Sequence, residues 1–509
     1  MIDKLVHIVL SRQDTVIQIT SAMSLALPET DQPIFKVLQE LDTTYDYWIY
    51  FSREAKELGA QFSRFTPYLQ HPNTMITAAG SDSAYVSSDI GYVEDGPFLT
   101  KGKSDCYPTW QMVDHSGVLH SSLLRQLPPK LYKNSPCFAY WLASVAKIGR
   151  PQGLCCYRIY LPITTSQASV MTRTQTYHFV ARHYKKRWVW LLFLAHMLYE
   201  KQFAVLAFAK ALPYSKYELS LDFNTLDQTK IDSSQPEFMV TVLIPTMGRA
   251  DYLYQVLQDL TQQETLPQKV IIVEQNPDLT AQSALAYLDS ESWPFEIAHI
   301  FTHQTGACNA RNIGLDRIDS GWVLFFDDDV RCDSDFIAKL QRATATTGAK
   351  ALTFACLQQG EVEPMKAFKQ WESFGSGCSI VHSDITSKLR FDMALEHGYG
   401  EDVDYGMQIR HAGYDILYAP QIQVLHLKAP VGGFRQPHVF AWHKTTPAPK
   451  PSPQIMYHRQ KNYTPKQLLG YKLVLFLKAY KRSGSFLLIG FYKKTKARWQ
   501  ASKRWAATL

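Results

Sequence analysis

Between Met239 and Asp327 three short runs, MVTVLI, KVIIVE and WVLFFD, are apolar almost throughout. A strand covered on one side alternates apolar and polar residues, so a run without alternation must be buried on both faces. The stretch from Ala250 to Gln263 carries Leu253, Val256, Leu257 and Leu260 at helical spacing. Buried strands alternating with amphipathic helices predict an α/β class with a parallel, doubly wound sheet.

At 509 residues, 46% of them apolar and 19% charged, the chain exceeds one ordinary core, and at least two folded units are expected. The expected boundaries are an α/β unit over 1–165, a helical connector over 166–235, the doubly wound unit over 236–430, and a linker with basic amphipathic helices over 431–509. The net charge of +7 is concentrated around Arg182 to Arg187 and in the last fifty residues. That pattern implies a local partner and no nucleic acid. Eight cysteines without a Cys-x-x-Cys pair suit a reducing compartment. The N-terminus lacks the features of a signal peptide. The run Trp188 to Tyr199 falls short of the roughly twenty residues that cross a bilayer and reads as a buried or surface-lying helix. A cytoplasmic location follows from these readings.

In WVLFFDDDV the apolar strand runs into Asp327, Asp328 and Asp329. Ligands of open α/β sheets bind beyond the carboxyl ends of strands. On an extended backbone Asp327 and Asp329 converge while Asp328 faces elsewhere. Two convergent carboxylates suit a hard divalent cation carrying phosphate oxygens, and the alternative is a solvated acidic turn. A second cluster, GYGEDVDYGMQIRHAGYDILYAP, sets Glu401, Asp402 and Asp404 at a helix start, where acids also complement the macrodipole. His426 ends another strand, IQVLHL, as a nitrogen ligand or a structural residue.

Taken in order, VLIPTMGRADYL, VIIVEQN, GACNARNIGL, WVLFFDDDV, FGSGCSIV, GEDVD and IQVLHL resemble the family 2 glycosyltransferases of the bacterial surface-polysaccharide type. The resemblance implies a GT-A fold and an inverting, metal-dependent transferase. The donor would be a nucleotide-diphosphate sugar, UDP-sugar ahead of dTDP-sugar, and the acceptor a glycan or lipid-linked hydroxyl. By the same resemblance Thr246, Arg249, Glu274, Arg311 and Asp327 bind the donor, Asp329 and His426 hold Mn2+ or Mg2+, and Asp402 is the general base. Gly377 and Glu401 fall in the acceptor region. Glu274 stands where the family usually has Asp, which bears on the nucleotide.

Outside that domain, YDYWIYFSREAKEL, HSGVLHSSLLRQL and FAYWLASVAKIGRPQGLCCYRIY echo the rhythm of the second half of the same fold, with Ser52, Arg53 and Glu54 in place of the acids. The first 165 residues are thus expected to form either a degenerate GT-A-like unit or an unrelated α+β domain. The basic, aromatic tail has the composition of a helix at an anionic membrane surface, or of one packed on its own protein. Two other function classes compete with sugar transfer. A prenyl-transferring enzyme fits poorly, because its aspartates sit on helices. A non-catalytic scaffold that binds sugar nucleotides has no need of a positioned base.

Overall fold

The structure is a computed structural model that describes residues 4–53, 62–69, 71–80, 84–102, 104–161, 170–223, 238–430, 438–483 and 488–509. The chain divides into two compact units: 1–226 with 463–474, and 227–462 with 475–509. The helices expected as a connector, including Arg173–His183, Lys186–Ala195 and Val205–Ala211, pack within the first unit.

The second unit is built on β8 (Val240–Thr246), β9 (Lys269–Gln275), β10 (Glu296–Thr302), β11 (Trp322–Phe326), β12 (Val330–Arg331), β13 (Ala351–Leu357), β14 (Lys369–Gln370), β15 (Cys378–His382) and β16 (Leu417–His426). Their order is β10-β9-β8-β11-β15-β13-β16-β12, with β14 beside β16. The four strands β10, β9, β8 and β11 are parallel, as the apolar runs predict. The sheet then reverses at β15, antiparallel to both β11 and β13, and β13 runs parallel to β16. β8 and β11 thus carry Thr246 and Asp327 to the same edge of the sheet, the condition for a shared site. Phe325 is fully buried, and its ring meets those of Phe374, Phe391 and Tyr405 at 5.6, 5.9 and 6.0 Å. Tyr405 lies on the helix Glu401–His411, so this aromatic core ties that helix to the strand leading into the aspartates.

In the first unit the strands are β1 (Leu5–Leu10), β2 (Val16–Ser21), β3 (Trp48–Ser52), β4 (Thr74–Ala79), β5 (Cys106–Pro108), β6 (Ser116–His120) and β7 (Cys155–Tyr160), ordered β2-β1-β3-β6-β4-β7-β5. The path β1-β3-β6-β4-β7 repeats β8-β11-β15-β13-β16 in chain order and in the sense of every pairing. Even the short strand β5 lies antiparallel to β7 as β14 does to β16. The register also agrees. Trp48 pairs with His120 and Trp322 with His382, with edge-on rings 4.9 and 5.0 Å apart. Both histidines then cap the helix that follows, accepting from Ser122 N–H and Asp384 N–H.

This register sets Arg53 opposite Asp327, one position from where the sequence rhythm alone puts it. Arg53 closes an ion network with Asp14 and Asp114. Glu54 lies outside the described residues. No counterpart of the parallel pair β9 and β10 is present among the described residues, and β1 is flanked instead by the antiparallel β2. The repeat therefore covers the second half of that sheet, from β8 through β11 to β16.

The tail forms the helices Pro453–Asn462, Pro465–Ser483 and Leu488–Ala506. The last turns Trp499, Ala501 and Ala506 inward. Trp499 reaches the Phe476 ring, and Ser502 Oγ donates to the carbonyl of Ser452. Its apolar stripe is thus packed on its own unit, while Lys493, Lys494, Lys496, Lys503 and Arg504 are exposed. No helix among the described residues is long and apolar enough to cross a membrane.

Candidate active site

Strand β11 ends at Phe326, and the backbone turns through Asp328 and Asp329 before pairing again at Val330. The alternation of an extended chain stops at that turn, so all three aspartates line one cleft of about 460 Å3. The expectation that Asp328 faces elsewhere fails for this reason. Asp328 is buried, accepts from Thr246 Oγ1 at 2.7 Å and is paired with Arg249 Nη1 at 2.8 Å. Burial pushes its carboxyl up to about 6 against the pull of Arg249 and Thr246. Thr246 and Arg249 line the cleft, and they also fix this third carboxylate.

The two-residue strand β12 pairs Val330 with His426 and so draws the end of β16 against the turn. His426 Nε2 lies 3.3 Å from Asp329 Oδ1, and the N–H groups of Leu427 and Ala429 donate to the carbonyl and the carboxylate of Asp329 at 2.8 and 2.9 Å. Burial opposes ionisation of Asp329, yet the His426 ring, the Ala429 N–H and Arg249 hold it below the usual carboxylate range. The bond to Asp329 in turn raises the His426 imidazole. Asp327, Asp329 and His426 each offer a ligand atom within 4.8 Å of the others. Two carboxylate oxygens and one imidazole nitrogen form an open set that fits a borderline-hard divalent ion and leaves coordination positions for phosphate oxygens. Asp327, expected on the donor, joins this set.

Burial raises the Asp327 carboxyl, opposed by Arg311, whose Nη2 is 3.6 Å away. Arg311 is buried on the helix Ala307–Leu315, lies over the Phe391 ring, and its Nε has no hydrogen-bond partner among the described residues. A buried guanidinium with unused donors at a carboxylate cluster suits an oxyanion ligand. Asn312, beside it, instead clamps Phe391, exchanging hydrogen bonds with both its carbonyl and its N–H. Gly377 abuts Asp327: a Cβ there would stand 2.0 Å from Asp327 Oδ2. The position expected near the acceptor therefore sets the orientation of Asp327.

Across the cleft, Gly400 with φ 113° turns the chain into the helix Glu401–His411. That backbone region favours glycine. Glu401 and Asp402 in its first turn both line the cleft. Asp402 Oδ1 is buried without a hydrogen-bond partner among the described residues. Burial and then the charge of Asp402 raise the Glu401 carboxyl.

Glu274 stands apart. It lies outside the lining of the cleft and is spent on Ser283 Oγ, the Ala284 N–H and His299 Nε2 at 2.6, 2.9 and 2.9 Å. Its neighbour Gln275 lines the cleft instead. One supporting acid, Glu396, escaped the sequence reading, and another, Asp404, was read only as an acid of a first helical turn. Glu396 accepts from the N–H groups of Cys308 and Asn309 and so caps the Arg311 helix. Asp404, fully buried, receives Asn462 Nδ2 at 2.7 Å and Lys461 Nζ at 2.9 Å. Their partners lie tens of residues away, and no local pattern announces them.

A family model described as Glycosyl transferase family 2 matches residues 241–374. The succinoglycan biosynthesis protein ExoM of Rhizobium meliloti (strain 1021) is 24% identical over 172 residues, which are 31% of this chain and 55% of that protein. The chain thus spans about half the length of this curated relative. Among solved structures, Staphylococcus aureus TarS 1-349 in complex with UDP-GlcNAc aligns at a TM-score of 0.36 and 14% identity, covering 52% of this chain and 79% of that one. The mannosyltransferase PcManGT from Pyrobaculum calidifontis, in complex with GDP-Man and Mn2+, aligns at 0.30 and 14%, covering 54% and 77%. With the strand order, the aspartate turn and the family match in agreement, the second unit is a GT-A domain of glycosyl transferase family 2.

Proposed function

We propose that the second unit is an inverting glycosyltransferase that moves a sugar from a nucleotide-diphosphate donor, UDP-sugar ahead of dTDP-sugar, to a hydroxyl of a glycan or lipid-linked acceptor in cell-surface polysaccharide synthesis. The observation that carries the reading is Asp402 Oδ1, buried and without a partner among the described residues, in the same cleft as Asp327, Asp329 and His426. A buried carboxylate oxygen left unbonded is costly unless a ligand completes it, and an acceptor hydroxyl is the complement a general base requires. The succinoglycan relative supports a polysaccharide product.

Asp402 takes the proton of the acceptor hydroxyl as its oxygen attacks the anomeric carbon. The bond from that carbon to the diphosphate oxygen breaks on the opposite face, and the configuration inverts. Arg311 receives part of the charge that builds on the departing diphosphate. Asp327, Asp329 and His426 would hold a divalent ion, with Mn2+ favoured over Mg2+ by the imidazole, and that ion supplies charge neutralisation on the leaving group. The free cysteines among the described residues accord with a cytoplasmic site of action. The exposed cations of the last helix offer anionic lipid a charged face.

The test is nucleotide release from UDP-, dTDP- and GDP-sugars, with and without Mn2+. Metal-dependent release from one donor, lost in Asp329→Ala and reduced by about a hundredfold or more in Asp402→Asn, is expected. Full acceptor-dependent transfer by Asp402→Asn would remove the assigned base.

A further inference from the structure

The first unit carries an apolar surface that its own core does not explain. The helices Lys186–Ala195 and Val205–Ala211 form a hairpin through the turn His196–Glu200, which ends at Lys201 in the left-handed region with φ 57°. Inside, Phe208 is buried and takes the rings of Trp190 and Phe193 at 4.6 and 4.8 Å. Outside, Trp190, Leu198, Phe203, Val205 and Leu206 are 57, 44, 71, 54 and 78% exposed. Scattered apolar residues on a surface are ordinary, but five large ones within seventeen residues are a patch.

Charge shows what the patch meets. Between residues 185 and 216 stand six cations, Lys185, Lys186, Arg187, Lys201, Lys210 and Lys216, all exposed. The one acid in that stretch, Glu200, accepts from Tyr92 Oη at 2.6 Å and pairs with Lys466 at 3.1 Å. The shape of the patch also discriminates. Side chains that line a groove for a peptide are largely enclosed by their own protein, whereas Phe203 and Leu206 stand almost clear of it. Protruding apolar side chains on a hairpin whose exposed charges are all cationic, with a tryptophan among them, fit the boundary between headgroups and acyl chains.

We infer that the hairpin 186–211 is a membrane-docking element that seats Phe203 and Leu206 among the acyl chains of an anionic bilayer and sets Lys185, Lys186 and Arg187 on its headgroups. This surface is distinct from the tail, whose apolar stripe is packed inward, and it does not depend on the sugar-transfer reading.

Flotation of the full chain with vesicles tests it, using phosphatidylcholine alone and phosphatidylcholine with about 30% phosphatidylserine. The chain is expected to float with the anionic vesicles. Phe203→Glu/Leu206→Glu should lower partitioning by about tenfold or more, and Lys185→Gln/Lys186→Gln/Arg187→Gln should remove the preference for phosphatidylserine. Lys493→Gln/Lys494→Gln/Lys496→Gln, which removes exposed cations of the last helix, should still float, which separates the hairpin from that helix. Unchanged circular dichroism and thermal melting keep each variant interpretable, since the substituted side chains are exposed. The inference fails if the double variant floats like the unaltered chain, or if neither vesicle captures the protein. It fails equally if the patch proves to be a self-association face, seen as a dimer that Phe203→Glu dissolves without any vesicle binding.

Discussion

Two glycines of the second unit show how one steric contact can have opposite consequences. A Cβ on Gly377 would stand 2.0 Å from Asp327 Oδ2, and a Cβ on Gly314 would stand 2.0 Å from Leu243 Cδ1. Asp327 is the mobile end of a side chain facing a cleft, so Gly377→Ala is relieved by rotating the carboxylate away. Leu243 is fully buried in the core under the sheet, so Gly314→Ala is relieved only by moving packed groups. Gly377→Ala is therefore expected to melt near the parent temperature while losing about a hundredfold in metal-dependent turnover. Gly314→Ala is expected to lose about 1–3 kcal/mol of stability and to keep the turnover of whatever fraction folds. Paired urea melts and donor-hydrolysis rates check both, and equal activity losses in the two variants would refute the distinction. The sequence offers Gly377 as a small-residue turn, but its collision with Asp327 depends on a pairing of β11 with β15 that no local pattern states. Asp328 was misplaced for a related reason. Alternation describes a strand, and the chain leaves the strand one residue earlier.

At the scale of elements, the chemistry rests on two helices held from outside. The Arg311 helix is capped by Glu396, and the Asp402 helix is anchored through Asp404 to the helix Pro453–Asn462. Acids in a first helical turn complement the macrodipole, and the sequence supports no more than that for Asp404. Its burial and its bonds to Lys461 and Asn462 give it a second role, steadying the turn from which Asp402 projects. Burial works against the ionised form, but His458, Lys461 and Asn462 hold Asp404 far below the usual carboxylate range. Asp404→Asn keeps the shape and removes the charge, while Lys461 retains Asp392 at 2.7 Å. The expected cost is about 2 kcal/mol, with kcat falling and the KM for donor little changed, because Asp404 touches no cleft group of the donor side. A rise in donor KM at constant kcat would contradict a positioning role. The apolar strands and the amphipathic helix Ala250–Thr261 were legible because burial leaves a periodic mark. The strand β10, EIAHIFT, was not, since a half-buried edge strand need not be apolar throughout.

Across the whole molecule the two units share a topology but differ in how they carry charge. The first unit repeats the path β8-β11-β15-β13-β16 of the second sheet and fills the position of Asp327 with Arg53, itself neutralised by Asp14 and Asp114. A guanidinium fixed where the second unit gathers two carboxylates and an imidazole able to hold a cation leaves that position no use for one. This relation was only half legible, because the quoted segments carried the rhythm of strands and helices while register and ring pairing emerge from the fold. The first unit also buries neutral imidazoles. His7, His71 and His183 are buried, and each has a hydroxyl neighbour: Ser52, Thr74 and Ser144, at 3.1, 3.4 and 3.0 Å. Burial lowers His7 and His71 from 6.5 to about 4, and His183 falls well below its ordinary value through burial and nearby cations, Lys147 first. In the second unit His426 is moved the other way, upward, by its bond to Asp329. A histidine with a depressed folded value is protonated in the unfolded chain first, so stability is fully present above pH about 6.5 and is lost as the pH falls toward about 4. The slope is up to about 1.4 kcal/mol per pH unit for each histidine. Hydrogen exchange resolved by segment, at pH 7.5 and at pH 5, should show protection lost in β1, β4 and the helix Arg173–His183 well before β8, β9 and β11. Uniform loss across both sheets, or loss confined to the second unit, would refute this account of acid lability.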